Sequence, residues 1–323
     1  MKNKAIIIAA GSCIIGVLLI AIALFIAKND HSMLNTNVKY DKLQYVCSSD
    51  VTSIEVEESS NEVFIKKGDV DKIVVDYYYD EKYLEYTFEE HDSTLTVKRV
   101  PKKVSFSWGI NIDFDWPKLI LTVPEKEYDN IDVKLSSGSV DVSELMVKNL
   151  KVKNSSGSLK IADVKGENVY VENTSGSVSV NGVQTTTLEA SNSSGKINIS
   201  DITASSLRVE NTSGGIDIDN VNSSAISAQT SSGGLRIKNT SCDTITGKST
   251  SGGIKIESLD AATEIVLHAS SGRIHGSIVG KAEDFSIITN TTSGSSNLQN
   301  GISGSKQLNC ETTSGNIKID FVH

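Results

Sequence analysis

From residue 138 to the C-terminus, apolar and polar residues alternate in short bursts that recur every 19 to 22 residues. Each burst follows a Ser-Gly dipeptide. The second and fourth residues after the glycine are apolar, as in Leu159 and Ile161, and their neighbours are polar. Alternation with a period of two is typical of a strand that buries one face. The pattern therefore predicts a strand after every Ser-Gly dipeptide.

Ten Ser-Gly dipeptides form a regular series, spaced by 19 residues six times and then by 20, 22 and 21. The residue before each glycine is Ser, and the residue before that is Ser or Thr. Glycine tolerates positive φ, and these hydroxyls can bond nearby backbone, so the motif predicts a sharp corner. A binding stripe is the alternative interpretation of the two hydroxyl columns. The predicted corner glycines are Gly138, Gly157, Gly176, Gly195, Gly214, Gly233, Gly252, Gly272, Gly294 and Gly315.

The rest of each repeat adds an apolar seventh position, broken by Thr240, and a second short strand at positions twelve and fourteen. Five inward positions cannot form a core alone, whereas stacked copies form a continuous one. The fold class predicted is all-β, a parallel β-solenoid (β-helix-like) with coils of about 19 residues. We assign residues 138–323 to these regular repeats.

Two further columns of polar residues, one at the corner and one facing outward, predict contacts between neighbouring coils. Asparagine stands three residues before the glycine in four successive repeats, at Asn154, Asn173, Asn192 and Asn211. Coils stacked about 4.8 Å apart would allow these amides to form a ladder. Glu189 and the residue 19 positions later, Arg208, are expected to be neighbours on adjacent parallel strands.

Residues 43–137 predict irregular β coils that cap the N-terminal end of the solenoid, because terminal repeats are atypical. Ile54 and Val56, followed by Val63 and Ile65, suggest a degenerate coil without a Ser-Gly corner. A separate small domain is the alternative. The predicted strands are Val51–Val56, Val63–Lys66, Ile73–Tyr79, Leu84–Phe88, Thr94–Lys98 and Lys118–Val123.

Within this region, residues 106–116 hold both tryptophans, Trp108 and Trp116, and two acids, Asp113 and Asp115. Aromatic rings beside carboxylates could contact sugar or calcium. The alternative is a hairpin that packs on the cap with its acids in water. Large apolar groups at a surface sometimes mark a partner site, so we record these four residues as a candidate surface contact.

Ala5 to Ala27 is an uncharged run of 23 residues, long enough as a helix to span a hydrocarbon core of about 30 Å. A cleaved signal peptide has a shorter apolar region, so we expect an uncleaved anchor. Lys2 and Lys4 precede the run and place the N-terminus in the cytoplasm. The sequence predicts a cytoplasmic tip and one transmembrane helix within residues 1–28, a linker (29–42) and an extracellular remainder.

Beyond the anchor, 28 basic and 40 acidic residues give a net charge of −12. Such an acidic chain is a poor partner for nucleic acid. The cysteines are scattered, at positions 13, 47, 242 and 310, without metal-ligand or redox spacing, which indicates small apolar side chains.

The residue types needed for catalysis are not gathered anywhere in the sequence. There is no nucleophile elbow and no phosphate loop. His268 and His275 face outward in the repeat frame without a third metal ligand. Asp217 and Asp219 form the closest outward acid pair, about 7 Å apart by strand geometry, without an aromatic sugar platform. We therefore expect no catalytic, cofactor-binding or metal-binding residues and no cofactor.

Strands followed by Thr-Ser-Gly, repeated at about twenty residues behind one anchor, resemble the bacterial “putative adhesin” family of β-strand-repeat proteins, whose domain has no known function. The resemblance includes Leu119 to Pro124, then Ile131 to Val133, then the first Ser-Gly, and it covers residue 50 to the end. It implies a β-solenoid exposed at the envelope and no activity. Anchored, LiaG-like members lie in envelope-stress loci of Gram-positive bacteria.

These observations predict a non-catalytic envelope protein, either an adhesin-like binder or an accessory of envelope-stress signalling. A polysaccharide-active β-helix enzyme is the alternative. The expected partners are the membrane, through the N-terminal helix, and a cell-wall polymer or a membrane protein. The chain ends on a strand that carries Ile317 and Ile319 in inward columns, and nothing follows it. We therefore expect a bare core end there, open to self-association or to a partner.

Overall fold

The computed structural model describes residues 40–102, 117–301 and 303–322. The predicted membrane anchor lies outside these residues, as do the linker up to residue 39 and the four candidate contact residues Trp108, Asp113, Asp115 and Trp116. Within the part of the chain that is described, no helix is both long and apolar enough to cross a membrane.

The described residues form one sheet of 20 strands wound into stacked coils. A short 3-10 turn at Ala282–Asp284 directly precedes the strand that begins at Phe285. In chain order the strands are β1 (Asp41–Val46), β2 (Ser53–Glu58), β3 (Glu62–Lys67), β4 (Val74–Tyr79), β5 (Tyr86–His91), β6 (Thr94–Arg99), β7 (Lys118–Val123), β8 (Glu127–Leu135), β9 (Val140–Ser156), β10 (Leu159–Ser175), β11 (Val178–Asn181), β12 (Gln184–Ser194), β13 (Ile197–Ser213), β14 (Ile216–Thr230), β15 (Leu235–Ser249), β16 (Ile254–Ala269), β17 (Ile274–Val279), β18 (Phe285–Ser293), β19 (Lys306–Ser314) and β20 (Ile317–Val322).

The central coils pair in parallel with a register of 19 residues, which confirms the predicted stacking. Ile197, for example, lies beside Val178 on one side and Ile216 on the other. The predicted inward columns are buried throughout. Thr240, which breaks the apolar seventh column, is only 1% exposed, and its hydroxyl donates to the Lys238 carbonyl at 2.9 Å.

Several coils also bury a side chain at the ninth position after the glycine, which the sequence did not reveal. The column is filled by small side chains, such as Ala204, Ser223, Cys242 and Ala261, all of which are buried. Their mixed polarity hides them from a search for apolar periodicity. The inward residues of one coil therefore come in three groups, after the glycine, after the sixth position and before the next glycine.

The sixth position after the glycine forms a second corner, also missed by the sequence. Its backbone is left-handed at Gly182, with φ 66°, and at a non-glycine residue in six further coils, with φ between 45° and 58°. Asn and Asp adopt this conformation more readily than other residues with a side chain, and they dominate the column. The residues are Glu144, Asp163, Asp201, Asn220, Asn239 and Ser258.

At the Ser-Gly corner, successive glycines stack directly on one another. Gly195 has φ 112°, and a Cβ built on it would lie 2.1 Å from the Gly176 carbonyl oxygen. Gly233 is not left-handed, yet a Cβ there would lie 2.0 Å from the Gly214 oxygen. The close approach of backbone to backbone therefore excludes a side chain even where φ does not require glycine.

At the N-terminal end, strand order in space differs from order along the chain. The coil of β2 and β3 stacks against β8 and β9 on one side and against β6 and β7 on the other. Residues 53–67, the first coil along the chain, thus lie second in the stack. Antiparallel strands β1, β4 and β5 complete this end, and β1 begins inside the predicted linker.

The C-terminal end has a matching exchange, and the predicted bare core end is wrong. β19 lies between β16 and β18, and β20 pairs with β17. The corner order in space is Gly272, then Gly315, then Gly294, since a Cβ on Gly294 would meet the Gly315 oxygen at 1.9 Å. Ile317 and Ile319 are only 1% and 2% exposed, because residues 285–301 fold over the last strand.

Two asparagine side chains cover the backbone at this end. The Asn297 amide accepts from the Ile319 N–H at 2.9 Å and donates to the Ile319 carbonyl at 2.8 Å. Asn300 accepts from the Thr289 N–H at 2.6 Å and donates to its carbonyl at 3.0 Å. Each amide takes the place of a neighbouring strand and blunts an edge that would otherwise template further pairing.

Replacing Gly195 with Val tests the stacking of the corners. We expect the free energy of unfolding to fall by about 2–5 kcal/mol, because the side chain meets both an unfavourable φ and the backbone of the coil beside it. Urea denaturation of the detergent-solubilised full chain measures the loss. Lys160→Ser, an exposed change, is the control and should alter stability by less than about 0.5 kcal/mol. Equal losses for the two variants would contradict the corner assignment.

Candidate functional site

Except before Gly138 and Gly272, where it is Leu135 or Ala269, the residue three before the corner glycine ties its coil to a neighbouring coil. Its side chain donates to the carbonyl of the corner glycine in that coil, as from Asn154 to Gly138 at 2.9 Å and from Asn211 to Gly195 at 2.7 Å. Thr230 and Ser249 make the same bond through their hydroxyls in later coils, both at 2.9 Å. This polar ladder satisfies carbonyls that the sharp corner would leave unpaired.

The predicted amide ladder at this column is therefore wrong, because each amide finds a glycine carbonyl closer than the next amide. An amide ladder does exist on the outer surface, at a position the sequence did not single out. Asn168 donates to the Asn149 side-chain oxygen at 2.8 Å, and Asn149 donates to Asn130 at 3.1 Å.

The two hydroxyl columns before each glycine form a continuous ridge, called here the hydroxyl ridge. It comprises the Ser one residue before, and the Ser or Thr two residues before, each of the ten corner glycines. All ten serines of the nearer column are exposed. No side-chain hydroxyl of either column makes a hydrogen bond within the described ranges, whereas other serines and threonines do. The corner backbone is instead paired by backbone, as from the Gly157 N–H to the Ser175 carbonyl at 2.9 Å.

The predicted turn chemistry is therefore carried by the column three residues before the glycine and not by the ridge. The ridge hydroxyls are free to meet water or a partner. Beside the ridge lies a cavity of about 250 Å³, lined by Thr174, Ser193 and three buried asparagines. The side-chain oxygens of Asn173, Asn192 and Asn211 are buried and accept no hydrogen bond within the described structure.

In the first coil along the chain, a buried carboxylate takes the corner role. Glu58 lies in register with Leu135, so Ser59, Ser60 and Asn61 correspond to the Ser-Ser-Gly that ends at Gly138. The degenerate coil expected without a Ser-Gly corner thus has a Ser-Ser-Asn corner.

The Glu58 side chain is fully buried and accepts the Ser59 and Ser60 N–H groups at 2.7 and 2.9 Å. Arg99 donates to it at 2.9 Å, and the Tyr86 hydroxyl donates to its other oxygen. Burial alone would raise the pKa of Glu58. The hydrogen bonds from Tyr86, Ser60 and Arg99 outweigh burial and hold the pKa below its usual value.

The outward acids Asp217 and Asp219 and the two histidines of the repeats do not form one cluster. Asp217 pairs with Lys196, and Asp219 with Lys238 at 3.2 Å. His268 contacts Glu311 at 3.3 Å. His275 lies on the other side of the glycine column, in register with Lys255 and Lys318. Within the described residues, no group of three acids, histidines or cysteines is placed to hold a metal ion.

Two further predictions concern the Glu189–Arg208 pair and the cysteines. Glu189 and Arg208 are neighbours on adjacent parallel strands, as predicted, but the Arg208 guanidinium pairs with Glu210 at 2.5 Å. Cys47, Cys242 and Cys310 are buried free thiols. Burial raises the pKa of Cys47 to about 11 and that of the other two to about 12, which makes them poor nucleophiles.

Comparison with known proteins gives one family match. The model of a family described as Toastrack DUF4097 matches residues 51–214 and again residues 167–320. No curated protein matches the chain significantly.

Several solved structures resemble the chain at low identity. A “putative lipid binding protein” from Parabacteroides distasonis is 17% identical, with 87% of this chain and 97% of that chain covered and a TM-score of 0.46. A “putative adhesin” from the same species is 14% identical, with 89% and 99% covered and a TM-score of 0.43. A “putative cell adhesion protein” from Clostridium sporogenes is 12% identical, with 88% and 100% covered and a TM-score of 0.31. At TM-scores below 0.5, these likenesses support no inference about function.

Substituting Glu58 with Gln tests the buried carboxylate. We expect the free energy of unfolding at pH 7 to fall by about 3 kcal/mol, because Arg99 and the corner N–H groups lose their charged acceptor. A carboxylate whose pKa is lowered by folding stabilises above its unfolded pKa of about 4.3, and that contribution is lost as the pH falls through the folded value.

The difference between parent and Glu58→Gln should therefore shrink when urea denaturation is repeated below pH 4. Glu57→Gln, which changes an exposed neighbour in a weak pair with Lys98 at 3.7 Å, is the matched control. A Glu58→Gln effect no larger than the control, or one independent of pH, would refute the role of this carboxylate.

Proposed function

The chain belongs to the Toastrack DUF4097 family, and on that premise we propose that it is a non-catalytic binding module of the cell envelope. In this proposal the N-terminal helix anchors the protein in the membrane and the β-solenoid extends outside the cell, where it makes adhesin-like contacts. Service as an accessory of envelope-stress signalling is a second form of the same role, since a sensor also needs a ligand or partner surface.

The observation that carries the proposal is the hydroxyl ridge. Ten corners repeat the same pair of hydroxyl side chains, and the fold uses neither for hydrogen bonding within the described residues. Successive coils lie about 4.8 Å apart, so the ridge presents donors and acceptors at a regular interval. Many weak, evenly spaced hydrogen bonds suit a repeating partner such as an envelope glycan, because contacts on one chain reinforce each other.

The buried asparagine oxygens beside the ridge also favour this surface as the binding site. Asn173, Asn192 and Asn211 each present an acceptor without a donor, next to Thr174 and Ser193. A polyhydroxylated ligand supplies donors, and satisfying buried acceptors is worth more than satisfying exposed ones. The partner proposed for this surface is a cell-wall polymer, with a membrane protein as the other class.

The non-catalytic part of the proposal rests on how the acids are arranged. Asp217 and Asp219, the outward pair closest to a catalytic geometry, are each neutralised by a lysine, Lys196 and Lys238. A glycosidase requires two carboxylates that act on the same sugar ring in separate roles.

Self-association at the C-terminal end stays a proposal. Residues 285–301, and not the last strand, would form the contact surface there.

Removing ridge hydroxyls tests the binding role. The fourfold change of Ser156, Ser175, Ser194 and Ser213 to Ala should weaken binding to isolated cell-wall fragments by roughly tenfold, at about 0.5 kcal/mol or less per lost hydrogen bond. Co-sedimentation with the detergent-solubilised full chain measures it.

The control changes Ser139, Ser158, Ser177 and Ser179 to Ala, which lie after the glycine and off the ridge. It should bind as the parent does. Equal binding by all three proteins, with unchanged stability, would refute the ridge as the contact surface.

Protease treatment of intact cells tests the topology. Because the apolar run of 23 residues follows Lys2 and Lys4, external protease should remove the region beyond residue 30 without lysis. A tag on the N-terminus should survive in the same cells. Cleavage only after lysis would overturn the orientation, and release of the whole chain from membranes by salt alone would overturn the anchor.

A further inference from the structure

A shallow channel runs along the stack on the far side of the glycine column from the hydroxyl ridge. Its floor is formed by Gly215, Gly234 and Gly253, each directly after a corner glycine, and the space above measures about 670 Å³. Arg236, Lys255 and Arg273 are among the residues that line it. We call this feature the glycine-floored channel.

The charge of the channel opposes that of the chain. The region beyond the predicted anchor has a net charge of −12, yet three successive coils place a basic side chain here. Two acids lie nearby and each is already paired. Asp217 pairs with Lys196, and Glu257 contacts both Arg236 at 3.2 Å and Lys255 at 2.5 Å.

Glu257 holds Arg236 and Lys255 at the side of the channel without cancelling them both. The Arg273 guanidinium makes no ion pair or hydrogen bond within the described ranges. His275 follows Lys255 in the same column, and Lys318 follows His275. Burial and the nearby Arg273 and Lys255 lower the pKa of His275, so this residue is neutral near pH 7 and the row of cations resumes at Lys318.

Two of the three floor glycines, Gly215 and Gly234, have no structural reason to be glycine, whereas a Cβ on Gly253 would lie 2.9 Å from the Arg273 carbonyl oxygen. Neither Gly215 nor Gly234 is in the left-handed region, and a Cβ on either would find its nearest atom at 3.4 or 3.7 Å, an ordinary contact. Earlier coils carry Ser158, Ser177 or Lys196 at the same position. Gly215 and Gly234 directly precede strands β14 and β15, and a glycine in a sheet that has no such need often marks a place where a ligand or another backbone approaches closely.

From these observations we propose that the glycine-floored channel binds a linear polyol phosphate, a polymer whose phosphates are joined by small hydroxylated units and not by nucleosides. The guanidinium groups of Arg236 and Arg273 match the bidentate geometry of a phosphate. Arg236 and Lys255 lie in one column and Arg273 in the neighbouring column of floor glycines, so coils about 4.8 Å apart spread three cations along the stack, which suits a chain of phosphates better than one small anion. The bare glycine floor lets the polymer backbone approach the sheet.

This proposal goes beyond the ridge contact proposed above and does not depend on it, because the two surfaces lie on opposite sides of the corner glycines. Ridge variants and channel variants therefore have separable effects. A carboxylated polysaccharide and single-stranded DNA are the competing anionic polymers that the experiment must distinguish.

The probe is lipid-free poly(glycerol phosphate), titrated onto the detergent-solubilised full chain by calorimetry at low and at physiological salt. The test protein is the double variant Arg236→Ser and Arg273→Ser. An earlier coil already has serine at the equivalent positions, Ser179 and Ser177, so folding should be preserved. We expect affinity to fall by roughly tenfold or more, because two charge-assisted contacts are lost.

A second variant, Gly234→Gln, leaves every charge in place and fills the floor, and it should weaken binding as well. Lys160→Ser removes one cation from the same column outside the channel and should bind within about twofold of the parent. The ridge fourfold variant should also bind the probe as the parent does.

Three results would overturn the proposal. The first is unchanged affinity in both channel variants. The second is binding of polygalacturonate as tight as that of poly(glycerol phosphate). The third is equal or tighter binding of a DNA strand with the same number of phosphates. Loss of binding in Lys160→Ser to the same degree as in the channel variants would also refute it, since the attraction would then be diffuse charge alone.

Discussion

The contact on which the whole stack depends is that of one corner glycine with the carbonyl of the corner glycine next to it. A Cβ at Gly195 or Gly233 would lie within 2.1 Å of that carbonyl oxygen, so no other residue fits without movement of the backbone. The same carbonyl accepts a side-chain donor from three residues before the next glycine. Close stacking and polar satisfaction are therefore achieved by one short motif, and each coil sets the position of the next.

The polar ladder explains why the donor may change while the fold does not. Asn192 and Ser249 differ in length and chemistry, yet both reach the glycine carbonyl of the preceding coil, at 2.7 and 2.9 Å. At the N-terminal end, Glu58 reverses the arrangement by accepting corner N–H groups and Arg99. A buried carboxylate is costly unless it is fully paired, and there it is paired on both oxygens.

Both ends of the stack are closed by an exchange of strand order. The first coil along the chain lies second in the stack, and β19 and β20 lie inside β18. The first and last coils along the chain therefore have a neighbouring coil on both sides. They keep their hydrogen bonds and core contacts, so they are less prone to fray or to pair with other chains. Function is therefore best sought on the long sides, where the ridge and the channel repeat from coil to coil.

The sequence by itself determined the coil. The Ser-Gly spacing and the alternation around it identified the inward columns at Leu159 and Ile161 and their equivalents, because local periodicity directly reports which side chains are buried. The apolar run of residues 5–27 likewise predicts a transmembrane helix, and these residues lie outside the described part of the chain. Apolar periodicity did not identify the buried ninth position, because Ala204 and Ser223 are similar in size but differ in polarity.

Only the tertiary structure decided how coils are ordered and what their outward side chains do. An apolar alternation looks the same in a coil at the edge of the stack and in one inside it, so the burial of Ile317 and Ile319 could not be read from the chain. The partner of Asn154 is a carbonyl 16 residues away, set by coil geometry and not by neighbouring residues. The ridge and the channel, likewise, exist only because stacking brings residues 19 apart to about 4.8 Å from each other.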